Sequence, residues 1–146
     1  MELGTVGAVL RFAIELEGHS AEFYEEAASL AKHQPTGEIF FSLAEAKSKR
    51  KKLVERSRRE FVNEMLLEPI AGLEGSDDLV RKELPSDVDS RAALRIAKEL
   101  EQSSQALYLD AAALVSHLPQ MARVFKKLGQ GNADHRLRLE SLEGMG

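Results

Sequence analysis

The sequence predicts an all-α fold, a four-helix bundle of two helical hairpins, from three observations. Apolar residues recur at steps of three and four along four long stretches, which places them on one helical face. A 26-residue segment recurs further down the chain. Helix-breaking residues gather in one block between the two copies.

The repeat is the firmest of the three. LRFAIELEGHSAEFYEEAASLAKHQP (10–35) and LRIAKELEQSSQALYLDAAALVSHLP (94–119) agree at 13 of 26 positions, at a constant offset of 84. The matches include Glu17/Glu101, Ser20/Ser104, Tyr24/Tyr108, His33/His117 and Pro35/Pro119, a pattern that chance similarity of Ala- and Leu-rich helices does not supply.

The first predicted helix spans 5–33, with Leu10, Ala13, Glu17, Ser20, Tyr24, Ala28 and Ala31 inward. Its repeat, the third, spans 88–116 with Leu94, Ala97, Glu101, Ser104, Tyr108, Ala112 and Val115. The second, 37–66, carries Phe40, Leu43, Lys47, Arg50, Val54 and Phe61. The fourth, 119–143, carries Phe125, Leu128, Asn132, His135, Leu139 and Leu142. Pro35 and Pro119 mark the hairpin turns, because proline is tolerated at a helix start and not inside. The chain then reads as one domain: a hairpin over 5–66, a crossover over 67–88 with a short helical turn near 77–83, and a hairpin over 89–143.

At 146 residues the chain can bury a single core, and 43% apolar with 30% charged residues excludes disorder. Cysteine is absent, which excludes disulfides and thiolate metal sites. The net charge of −4 makes no case for nucleic acid. Arg11 and Glu15 interrupt the first apolar stretch, no cleavage pattern frames it, and nothing reads as a membrane span, so a cytoplasmic protein is expected. Phosphate loops, nucleophile elbows and HExxH motifs are missing.

Six polar residues interrupt the inward stripes at mid-height: Glu17, Glu101, the pair Lys47 and Arg50, and the pair Asn132 and His135, both pairs at i, i+3 spacing. Buried charge must meet a counter-charge, a metal or water. The pattern resembles the rubrerythrin-type branch of the ferritin-like superfamily. That resemblance implies two iron or manganese ions held by a Glu on the first and third helices and Glu-x-x-His on the second and fourth. It also implies a Tyr seven residues after each lone Glu, as in Glu17 with Tyr24 and Glu101 with Tyr108. Glu17, Glu101 and His135 stand at ligand positions. Lys47, Arg50 and Asn132 stand where Glu, His and Glu are expected.

Protonated lysine and arginine cannot ligate metal, so the expectation is an ion-pair network of Glu17, Glu101, Lys47 and Arg50 in place of the ions, with no cofactor. The function expected is a structural or interaction module, a homodimer in the manner the resemblance implies. The alternative is a metal-dependent oxidoreductase acting on peroxide or oxygen. It would recruit Glu45 or Asp134 as substitute ligands, although these lie about 160° and 100° around their helices from the faces needed. A weaker alternative is anion or nucleic-acid binding by the basic run KSKRKKLVERSRR, 47–59. Tyr24 and Tyr108 are expected to fill core space with hydroxyls on the polar belt, His33 and His117 to act as helix caps, and His19 to be exposed. Gly129 and Gly131 suggest either a close helix approach or a kink.

Overall fold

A computed structural model describes residues 2–143 except 62, 76, 81, 82 and 86; of 77 and 78 it describes the backbone alone. Four long helices form the body: α1 (Val6–Leu30), α2 (Pro35–Glu60), α5 (Ser90–Leu114) and α6 (Pro119–Ser141). Two short ones, α3 (Asn63–Leu66) and α4 (Asp77–Val80), lie between the hairpins. None of the described helices is long and apolar enough to cross a membrane.

Local chemistry sets the boundaries. Thr5 caps α1 by accepting the Ala8 N–H at 3.1 Å, and Asp89 caps α5 by accepting the Ala92 N–H at 2.8 Å. α2 and α6 each open with proline in the first turn, as expected of hairpin turns. One expectation fails. The second helix does not run unbroken to 66 but stops at Glu60, where Phe61 turns extended (φ −76, ψ 141) and lays its half-buried ring against the core. The short crossover turn is α4; Arg81 and Lys82, at its expected end, lie outside the described residues.

α1 packs mainly on α2, and α5 on α6. The starts of α2 and α5 line one cleft with the end of α6, so α2 and α5 point the same way and the crossover must travel the length of the bundle. It travels packed. Leu3 and Val6 donate to the Leu73 and Glu68 carbonyls, and Ile70 donates to that of Gly4, zipping the N-terminal residues to the crossover. Ile70 and Leu73 are buried, and Gly75 fits against the Phe12 ring where a Cβ would stand 2.8 Å away. α1 is consequently covered on two sides, burying Val6, Val9, Phe12 and Leu16 as well as its inward stripe apart from Ala28, which is half-buried while Ala27 beside it is buried. Each such side chain contributes about 1.5–3 kcal/mol on burial.

Candidate functional site

The mid-height polar residues all reach the interior. Glu17, Lys47, Glu101 and Asn132 are fully buried, His135 retains 8% exposure, and the Arg50 side chain 11%. Steps of three, four and seven carry them there on the same helical faces as the apolar stripes.

Glu17 is held by a fork. Arg50 Nε donates to its Oε1 at 2.7 Å and the guanidinium's second nitrogen to its Oε2 at 3.2 Å. Such a planar bidentate pair is the strong form of a charge-assisted bond. Glu101 collects single donors instead. Its Oε1 accepts from Lys47 Nζ at 2.9 Å, Asn132 Nδ2 at 2.7 Å and His135 Nδ1 at 3.2 Å. Lys47 Nζ also stands 4.0 Å from Glu17, so one ammonium lies between the two carboxylates.

The tyrosines cross over. Tyr24 of α1 donates to Glu101 at 2.6 Å, and Tyr108 of α5 donates to Glu17 at 2.5 Å. Arg50 closes the network by donating to Asn132 Oδ1 at 2.9 Å and to the Leu128 carbonyl at 3.0 Å, and its Cζ lies 5.7 Å from the Tyr108 ring centre. Two anions and two cations thus share one buried cluster.

Burial by itself would raise both carboxyls. Lys47 and Arg50 beside Glu17, and Lys47, His135 and Tyr24 around Glu101, outweigh it and hold both below the ordinary 4.5. Burial would strip the Arg50 proton, but the Glu17 charge opposes this and the guanidinium stays charged. Burial and the facing carboxylates push both tyrosine hydroxyls well above 10. Burial also lowers His135 below 6.5 despite its bond to Glu101, leaving the imidazole neutral at pH 7. Facing an acceptor-only carboxylate, its Nδ1 must then carry the proton.

The glycines of α6 have a reason in this geometry. A Cβ on Gly131 would stand 2.6 Å from an Arg50 guanidinium nitrogen, so Gly131 makes the seat that Arg50 occupies. A Cβ on Gly129 would meet Leu109 of α5 at 2.9 Å, which is close helix approach. α6 runs unbroken through both positions. The Leu128 carbonyl and the Gly131 seat are the parts of the site the sequence did not announce. The only signal was two glycines weakening a helix at the level of Asn132. Ser20 and Ser104, equivalent in the repeat and buried one turn from Glu17 and Glu101, have hydroxyls with no protein partner among the described residues.

Other residues fall elsewhere. Glu45 and Asp134 are exposed, on the outside of their helices as their angular offsets require. His117 does not cap its helix: its Nε2 pairs with Glu68 of the crossover at 2.9 Å. His19 is exposed and faces Glu22. Lys49, Lys52, Arg56 and Arg59 of the basic run point outward while Lys47 and Arg50 point in.

The arrangement does not fit a di-metal centre. The ligand set needs lone pairs converging on two dications; here an ammonium and a guanidinium take up the carboxylate lone pairs and set two fixed positive charges in the way. No group of three or more His, Asp or Glu side chains among the described residues stands ready to share a metal.

No family model matches the sequence, and no curated protein matches it. A solved structure does: a Thermotoga maritima protein described as a ferritin-like diiron-carboxylate protein, superimposing with a TM-score of 0.76 over 94% of this chain and 93% of that one, at 20% identity. The two paired hairpins, the packed crossover and this similarity together give the chain the ferritin-like fold.

Proposed function

We propose that this chain is a rubrerythrin-type bundle whose di-metal centre has been replaced by an internal ion-pair network, and that it serves as a structural or interaction module rather than an oxidoreductase. One observation carries the reading: Lys47 Nζ stands 2.9 Å from Glu101 and 4.0 Å from Glu17, where a shared cation would bridge them. The Gly131 seat supports it, because an arginine in place of a histidine needs that room and α6 provides it.

The module is read as a homodimer. Phe41 of α2 and Leu137 of α6 are 59% and 62% exposed, and the Arg138 to Ser42 hydrogen bond brings their neighbours together on the α2/α6 side. Light scattering of the wild type and of a Phe41→Glu, Leu137→Glu variant tests this: a dimer that becomes a monomer is expected, and an unchanged mass removes the interface.

Elemental analysis of the purified protein, with a visible spectrum after anaerobic iron loading and re-exposure to air, tests the main reading. No stoichiometric metal and no oxo-bridged absorption are expected. The triple variant Lys47→Glu, Arg50→His, Asn132→Glu should acquire both. Two tightly held ions in the wild-type chain would make it an oxidoreductase candidate instead.

A further inference from the structure

At the end of the bundle where α2 and α5 begin, a cleft of about 660 Å³ opens between α5, the end of α6 and the turn before α2. Three cations of α5, Arg91, Arg95 and Lys98, follow one another at i, i+4 and i+7 along its wall. Leu94 and Leu142 give the wall an apolar strip. Lys98 is neutralised by an ion pair with Glu143. Arg91 and Arg95 are exposed and pair with no carboxylate among the described residues, leaving the cleft an excess of two positive charges.

The internal repeat sharpens this. At the offset of 84, the counterparts of Arg91, Arg95 and Lys98 are Gly7, Arg11 and Ile14. That face of the first hairpin is covered at two of the three positions: Gly7 is buried against Leu66, whose carbonyl would lie 3.0 Å from an added Cβ, and Ile14 packs on the core, while Arg11 stays exposed. In the second hairpin Arg91 and Lys98 stand at the two covered positions, so the corresponding face is open and carries two more cations.

We propose that this end cleft binds a small organic phosphate monoester. A phosphate dianion matches the two unpaired guanidinium groups in charge, and each planar fork can engage two of its oxygens. The volume suits a ligand of small-metabolite size, and the leucine strip suits an apolar or planar remainder. At the rim, α2 begins at Pro35 with no side-chain cap from Gln34; Pro35 has no N–H and that of Gly37 donates to the Gln34 carbonyl at 3.0 Å, which leaves the Thr36 N–H at the cleft's edge as the donor of that turn.

Heteronuclear NMR titration with phenyl phosphate, inorganic phosphate and benzoate tests the site. Phenyl phosphate should shift the amides around Leu94, Arg95 and Leu142 saturably, about tenfold more tightly than either partial probe, because only it offers both the dianion and the ring. An Arg91→Ala, Arg95→Ala variant should lose at least about tenfold in affinity while keeping its spectrum elsewhere, since both residues are outside the buried network. Absence of saturable shifts with phenyl phosphate overturns the proposal, as does binding unchanged in the double variant. Benzoate binding as tightly would overturn the phosphate assignment.

Discussion

The two hairpins share their first helices and differ in their second. α1 and α5 present the same Glu, Ser and Tyr at the same heights, and each tyrosine bonds the carboxylate of the other hairpin. α2 and α6 diverge at the same level: Lys47 and Arg50 on one, Asn132 and His135 on the other. α2 therefore supplies the positive charge for both carboxylates, while α6 supplies a neutral amide, a neutral imidazole, a carbonyl and a space. A symmetric pair of anions is balanced by one helix. Mutational sensitivity should follow that asymmetry.

The largest effect is expected at Lys47. Lys47→Met removes the ammonium between two buried carboxylates and should lower unfolding free energy by about 3–5 kcal/mol in urea titrations. A loss below about 1 kcal/mol, the level of an exposed pair, would mean the lysine does not balance the core.

Acid comes next. Both carboxyls are depressed in the folded protein, so their contribution is complete above about 4.5 and is lost as pH falls through the folded values. His135 is also depressed; below 6.5 the unfolded chain takes up its proton first, which again disfavours the fold. Stability against urea should decline from pH 6.5 downward and more steeply below 4.5. His135→Gln should remove the upper part of the decline and leave the lower. Above pH 10 the raised tyrosines act in the opposite sense, and stability should fall with rising pH.

Gly131→Ala is smaller and more diagnostic. The added methyl displaces Arg50 and should destabilise by about 1–3 kcal/mol. In an Arg50→Ala background the same change should stabilise by roughly 1 kcal/mol, the ordinary helix preference of alanine over glycine. A sign that does not reverse would break the link between seat and occupant. Gly129→Ala is the smallest. Its methyl meets the end of Leu109, a side chain 39% exposed and free to swing, so a change within about 1 kcal/mol is expected.

The repeat and the prolines made the hairpins legible, because periodicity and turn chemistry are local. The inward positions of Glu17 and Glu101 were legible through duplication. Those of Lys47 and Arg50 rested on alignment alone, in a run where basic residues occupy every face. The break at Phe61 was hidden, since no glycine or proline marks it; a tertiary contact ends that helix. The Gly131 seat and the His117 to Glu68 pair depend on which residues face each other across the bundle, 81 and 49 positions apart in sequence, and no local pattern encodes either.

The central claim is that Lys47 is a charged, buried counter-ion between Glu17 and Glu101. Lysine ammonium NMR on the metal-free protein tests it most directly. One ammonium should exchange slowly with water, should show coupling to the Glu101 carboxyl carbon, and should disappear in Lys47→Met. A Lys47 ammonium that exchanges at the rate of the surface lysines would contradict the account.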